Sequence, residues 1–290
     1  MGGFRCAYLR GLALDRNIQR IPGRGALAHS STRLYVTVMC TLVILRRPGH
    51  DWPLIVAANR DEMADRPWSA PGRHWPDAPH VTAGLDRTAG GTWLGINDDR
   101  MVAGVLNRHG SLGQEAGKRS RGELPLEALS HAEAEAAAEA LGHLDGSAYR
   151  SFNLVVGDVN RAFWISGNGR DPAVSVHEIR PGLSMITAHD LNDDSSARIE
   201  RYRPLFEAAA APDPARGADG WGAWIALISE YKEWQGGGER DSMAFRTDYG
   251  FETVSSSLIA MPKPFDPALK PQWLFCPERP MPGKFAPVTG

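Results

Sequence analysis

Val38-Met39-Cys40-Thr41-Leu42-Val43-Ile44-Leu45, then Arg46-Arg47-Pro48-Gly49-His50-Asp51-Trp52-Pro53, then Leu54-Ile55-Val56-Ala57-Ala58-Asn59-Arg60-Asp61-Glu62: these three runs decide the fold. Two apolar, β-branched segments flank a Pro-Gly breaker, which predicts a hairpin with a longer-than-minimal loop. A turn centred near His50 places Cys40 opposite about position 60. Side chains alternate, so Asn59 and Asp61 share one face and Arg60 and Glu62 the other. The start of one strand then carries a thiol beside an amide and a carboxylate at the end of its neighbour.

Outward from the hairpin, the chain reads as one domain with additions. Its 290 residues reach the upper range for a single core, about 250 to 300. Against 32 Lys+Arg stand 34 Asp+Glu, a balance that gives no general attraction to nucleic acid or anionic membrane. No apolar run approaches the roughly 18 residues of a membrane helix. Cys6, Cys40 and Cys276 are widely separated, so neither a disulfide framework nor a cysteine metal site is expected, and a cytoplasmic location is the plain reading.

Residues 1–38 differ from the rest, with six Arg, no Lys, no Glu and one acidic residue, Asp15. Such a composition suits an organellar transit peptide, a flexible basic arm, or translated upstream sequence with the true start at Met39. The last fits best, because Met39 directly precedes the first well-patterned strand. The expected domain is therefore 39–290, preceded by an extension over 1–38.

Downstream, residues 63–80 read as irregular. Gly90–Asn97 and Met101–Arg108 form a second hairpin, and Gly110–Gly122 is a mobile loop by composition. Ser130 is expected to cap a helix over His131–Leu144. Phe152–Asp158 and Ala162–Ser166 make a tight hairpin, followed by strands Ala173–Ile179 and Leu183–Ala188. The polar cluster His189–Asp194 is better suited to capping a helix over Ala197–Ala210 than to holding a metal. A Trp-rich helix is expected over Trp221–Trp234, stopped by Gly236-Gly237-Gly238, and closing strands over Thr253–Met261 and Gln272–Phe275. Strands at both ends with clustered helices predict an α+β fold of antiparallel sheet, not βαβ alternation. No nucleotide-binding glycine loop follows a strand.

If the mature chain begins at Cys40, one residue supplies both halves of an activated nucleophile. The α-amine, with an ordinary pKa of about 8, serves as base for a thiol of about 8.5. Asp61 is placed to orient the amine, as the third member of a triad orients its base. Asn59 or Asn107 offers an amide N–H to an oxyanion, a donor whose loss typically costs roughly 10²–10³ in rate. With residues 1–38 attached, the amine is a peptide amide and cannot act as a base.

Met39-Cys40 with Asn59-Arg60-Asp61-Glu62 resembles the NRDE family, also called the transport and Golgi organisation 2 family. The likeness continues through Gly90-Gly91-Thr92-Trp93-Leu94-Gly95-Ile96, Leu106-Asn107-Arg108, Phe152–Asp158 and Ser255-Ser256-Ser257. That family is similar in its start to cysteine-type N-terminal-nucleophile hydrolases. The resemblance implies a four-layer αββα sandwich and C–N bond hydrolysis or acyl transfer. It implies Cys40 as nucleophile, Asp61 as amine partner and Asn107 as oxyanion donor. Arg60 and Glu62 read as an ion pair fixing the strand end, and Arg60, Trp93 and Asn192 are the candidates for touching substrate. Two positions depart from the pattern. Ala58 stands where the choloylglycine type has arginine, and Tyr249-Gly250-Phe251-Glu252 replaces a Tyr-Gly-Thr-Arg segment. The family's connection with haem trafficking and acyl-CoA homeostasis supplies the alternative, a carrier with haem or lipid as ligand. On the enzyme reading no cofactor or metal is required and the partner is a small-molecule substrate.

Overall fold

The computed structural model describes residues 40–234, 241–264 and 269–289. The predicted extension over 1–38 and the glycine stop at 236–238 lie outside the described residues.

The opening hairpin forms in the expected register. Strand β1 (Thr41–Arg46) pairs antiparallel with β2 (Leu54–Met63), from Thr41 opposite Asn59 to Arg46 opposite Leu54. Gly49, at φ +84°, takes the left-handed turn position, and the Arg47 N–H donates to the Pro53 carbonyl at 2.8 Å to close the loop. Ten residues of β2 then run through the centre of the first sheet, buried over all but the last two.

Seven strands build the second sheet as an uninterrupted antiparallel meander. They are β3 (Trp68–Gly72), β4 (Val81–Asp86), β5 (Leu94–Asn97), β6 (Val102–Asn107), β7 (Phe152–Gly157), β8 (Ala162–Gly167) and β9 (Ser175–Glu178). Helices α1 (Glu123–Leu129) and α2 (Ala134–Gly142) interrupt the chain between β6 and β7 without breaking the strand order. The chain then returns to the first sheet with β10 (Gly182–Ile186), which pairs with β1 on its free edge. After α3 (Ala197–Ala208) and α4 (Gly222–Ile228) come β11 (Tyr231–Trp234), β12 (Ala244–Thr247) and β13 (Phe251–Met261). Strands β14 (Gln272–Cys276) and β15 (Ala286–Pro287) close that sheet. The long β13 pairs with β2 on one edge and shares its other edge between β12 and β14.

Alternation along β1 and β2 sorts the layers. Leu42, Ile44, Leu54 and Val56 face the second sheet and meet Leu94, Val102, Leu106 and Val155. Val43, Ile55 and Ala57 face the other way, onto Ile199, Tyr202 and Phe206 of α3 and Trp224 and Ile228 of α4. Behind the second sheet, Leu154, Val156 and Ile165 pack against Leu129 of α1 and Ala137 and Leu141 of α2. Helices, sheet, sheet, helices: the fold is a four-layer αββα sandwich. Among the described residues no helix is long and apolar enough to cross a membrane. Cys276 is fully buried in the core beneath α3 and α4, a small apolar filler as its setting in the sequence suggests.

Four local readings are corrected. The segment 63–80 contains β3, because an edge strand tolerates Pro71, and the pairing register shifts between Ser69 and Gly72 beside that proline. Helix α2 takes its cap from elsewhere in the fold. The Ala134 N–H donates to Asp158 Oδ2 at 2.7 Å from the β7–β8 turn, while the Ser130 hydroxyl donates to the Glu127 carbonyl and closes α1 instead. Helix α3 is capped by Ser196, which accepts from Ile199 N, and not by the aspartates before it. The Trp-rich helix stops at Ile228, and Tyr231–Trp234 leaves as a strand that pairs in parallel with β12. That pair is the exception to an otherwise antiparallel sheet.

Candidate active site

Continuing the β1–β2 register by one residue sets Cys40 opposite Arg60, on the face that looks toward the second sheet. The sequence stretch that begins β1 therefore ends the sheet-to-sheet core and opens into a cavity of about 310 Å³. Its walls are the ends of β2, β4 and β6, the segment 89–93 that leads into β5, and the loop from Leu112 to Gly122. Cys40, Arg60, Asp61, Trp93 and Asn107 all line it. Asn59 and Asn192 do not.

The thiol is held by the main chain of Asp61. Cys40 Sγ accepts from the Asp61 N–H at 3.4 Å and lies 3.6 Å from the Asp61 carbonyl oxygen. Although the residue keeps some exposed surface, its sulfur is deep. Burial, then the nearby Asp61 charge, pushes the thiol up to about 12. In an unbroken chain this cysteine is a thiol and a poor nucleophile at neutral pH.

The Asp61 side chain leaves β2 on the opposite face. Its Oδ1 accepts from Thr253 Oγ1 at 2.6 Å, and Oδ2 accepts from Arg198 Nη1 at 3.1 Å. The same Arg198 nitrogen donates to Thr41 Oγ1 at 2.6 Å, one residue beyond the cysteine. Both members of the Arg198–Asp61 ion pair have fully buried side chains. The guanidinium also lies 5.7 Å from the centroid of Phe245. Thiol and carboxylate thus belong to opposite faces of one hairpin, joined through the main chain of residue 61 and the Thr41 hydroxyl.

Asn59 shares the face of Asp61 but is occupied with the fold. Its Nδ2 donates to the Ile228 and Met243 carbonyls at 3.0 and 2.8 Å, and its Oδ1 accepts from Ser256 Oγ. The amide expected as an oxyanion donor instead ties β2 to α4 and β13. Asn192 is also elsewhere. At φ +58° it occupies a left-handed turn, its Oδ1 accepting from Met185 N at 2.7 Å and its Nδ2 reaching Ser184 Oγ at 3.3 Å. Asn107, half-buried at the end of β6, is the asparagine that lines the cavity.

On the cavity face, the Gly90-Gly91-Thr92-Trp93 run needs its glycines for close approach. A Cβ on Gly91 would meet the Gly122 carbonyl carbon at 2.5 Å, and Thr92 N donates to the Gly122 carbonyl at 2.9 Å. Trp93 lies directly over Gly84, where an added Cβ would sit 2.2 Å from the indole. The indole's edge-to-face neighbour is Trp68, with centroids 5.9 Å apart, and the Arg60 guanidinium stacks 4.2 Å from its centroid. Arg60 Nη2 stands 3.8 Å from Glu62 Oε2, at the outer limit of an ion pair. Glu62 in turn reaches Arg66, whose Nη2 is 2.7 Å from Asp86.

The loop expected to be mobile is tied down by half-buried arginines and a lysine. Arg121 Nη1 donates to the carbonyls of Ser111 and Ser151 at 2.7 and 3.0 Å, and burial lowers its pKa to about 10. Arg150 Nη2 donates to the Gly110 carbonyl at 2.9 Å and Lys118 Nζ to the Gly169 carbonyl at 3.1 Å. None of these, nor Arg198 or Thr253, was singled out from the sequence. Arg198 did leave a trace, since it falls on the 198–202–206 stripe that α3 buries, an arginine where the helix pattern asks for an apolar residue.

Residues 39–218, which carry β1, β2, Trp93 and Asn107, match the family model described as Transport and Golgi organisation 2. The chain belongs to the Transport and Golgi organisation 2 family. Among curated relatives, the mouse Transport and Golgi organization 2 homolog is 36% identical over 110 residues, 37% of this chain and 39% of the mouse protein. The match thus spans about two-fifths of that relative's length. Solved structures with a similar fold include the N-acylethanolamine-hydrolyzing acid amidase ortholog of Caenorhabditis elegans, at TM-score 0.47 and 13% identity over 78% of this chain and 94% of that one. A variant of the conjugated bile acid hydrolase from Clostridium perfringens is similar at TM-score 0.49 and 12% identity, over 86% of this chain and 92% of that one.

Proposed function

We propose that this family member is an N-terminal-cysteine amidohydrolase or acyltransferase acting on a small amide or thioester, with Cys40 as nucleophile once it begins the chain. The observation that carries the reading is the position of the Cys40 sulfur: deep, held against the Asp61 main chain, and on the wall of a cavity large enough for a small molecule. Freed of Met39, the α-amine takes the thiol proton and the sulfur attacks the scissile carbonyl carbon. The resulting ammonium returns that proton to the departing nitrogen or sulfur as its bond to the carbonyl carbon breaks and the C=O re-forms. Water, or an acceptor amine, then cleaves the acyl-cysteine. Asn107 is the proposed oxyanion donor, and Asp61, fixed by Arg198 and Thr253, the proposed anchor of the amine.

The cavity wall favours turnover over carriage. A cradle for haem or an acyl chain calls for broad apolar surface, whereas Arg60, Glu62, Arg66, Asp86 and Glu115 bring charge to this one. The test is intact mass of protein beginning at Cys40 after exposure to an acyl activity-based probe library. A single acyl adduct on wild type, absent in Cys40→Ser, is expected. No adduct from any probe, with the start verified as Cys40, rules the enzyme out. Saturable haem binding that survives Cys40→Ser and is lost on pocket substitutions points to the carrier instead.

A further inference from the structure

Among the cavity-lining cations of the described residues, Arg60 is set apart. The others are engaged: Arg66 with Asp86, Arg119 with Glu123, Lys118, Arg121 and Arg150 with loop carbonyls. Arg60 is only 5% exposed, and its Nη1 is fully buried with no hydrogen-bond partner. Its ion-pair contact, to Glu62 at 3.8 Å, goes through the other nitrogen. A buried guanidinium N–H without an acceptor is costly, and such a group persists where a ligand or ordered water completes it. Trp93 fixes the plane of the guanidinium from one face. Continuing the strand register by one residue places it opposite Cys40, and facing residues of an antiparallel pair have Cβ atoms roughly 4.5–5.5 Å apart.

From this unpartnered nitrogen, on the residue that faces Cys40 and shares its cavity, we infer that the site takes an acyl group carrying its own carboxylate, which Arg60 anchors next to the carbonyl that Cys40 attacks. The substrate class rests on the proposed hydrolase reading; the anion anchor itself does not. A carboxylate suits the place better than a phosphate. One guanidinium nitrogen, Nη1, is without a partner, and Glu62 already stands against the other end of the guanidinium, which disfavours a second negative charge.

The full-length chain tests this without any turnover. Alkylation of Cys40 by anionic iodoacetate and by neutral iodoacetamide is followed by peptide mass mapping, native and in urea. Both reagents consume the same thiolate, so their rate ratio cancels its ionisation. The native ratio of iodoacetate to iodoacetamide is expected to exceed the unfolded ratio by about tenfold, the worth of one charge-assisted hydrogen bond, and Arg60→Met should return it to the unfolded value. A native ratio equal to the unfolded one, or one that a folded Arg60→Met leaves unchanged, overturns the inference. Should that variant not fold, protection of wild type decides. Glutarate must slow iodoacetamide at Cys40 and glutaramide must not. Equal protection by both, none by either, or stronger protection by inorganic phosphate contradicts the carboxylate assignment. Loss of the hydrolase reading would show differently, as an intact anion preference with no acyl adduct on protein beginning at Cys40.

Discussion

The two faces of one hairpin behave oppositely. On the helix-facing side, Asn59 and Asp61 are saturated: three partners for the amide, and a threonine and an arginine for the carboxylate. On the sheet-facing side, one residue along, Cys40 is held by main chain and Arg60 keeps a buried N–H unsatisfied. A satisfied buried network holds a fold together; an unsatisfied one is held in place by the rest of the fold and awaits a partner. The difference assigns a fixed, pre-set scaffold to one face, Asp61 as anchor of the amine included, and the groups that meet substrate to the other.

The sharpest way to break that division is Arg198→Met. It strips the ion pair from a buried carboxylate, and losing one partner of such a pair costs about 3–5 kcal/mol; urea unfolding should show it, and a loss under about 1 kcal/mol would mean Asp61 is not held as described. Asn59→Ala comes next. The carbonyls of Ile228 and Met243 lose their donor, for an expected loss of about 1–3 kcal/mol in the same assay. Turning to the cavity face, Arg60→Met should leave the unfolding free energy within about 0.5 kcal/mol of wild type, because the group removed had little to lose. A loss as large as that of Asn59→Ala would erase the contrast. Cys40→Ser should be equally mild in unfolding while abolishing acyl-probe labelling, read by intact mass.

Much of this hairpin was legible because its physics is local. Alternation, a Pro-Gly loop and a run of β-branched residues suffice to set Cys40 against position 60 and to separate Asn59 and Asp61 from Arg60. What stayed hidden depends on partners far along the chain. Nothing near Asn59 tells that its amide is committed to carbonyls 169 and 184 residues away. Nor does the sequence near Asp61 announce that its partners come from α3 and β13. The same holds for α2, capped by Asp158 across the fold, and for the loop beyond Asn107, whose glycines suggest freedom while Arg121 and Arg150 pin its carbonyls. Tyr231–Trp234 failed for a related reason. Its pattern continues the helix, but the open edge of β12 offers ladder partners that a helix end does not.

The central claim concerns the peptide bond between Met39 and Cys40, and the pH profile of Cys40 alkylation addresses it directly. In the chain that keeps residues 1–39, burial and Asp61 hold the thiol up near about 12. The neutral form is the one the fold favours, so the rate should climb about tenfold per unit from about pH 7 to 10 without levelling. In protein that begins at Cys40, the new ammonium beside the sulfur favours the thiolate, and the profile should level near neutral pH. Superimposable profiles from the two proteins would contradict the account.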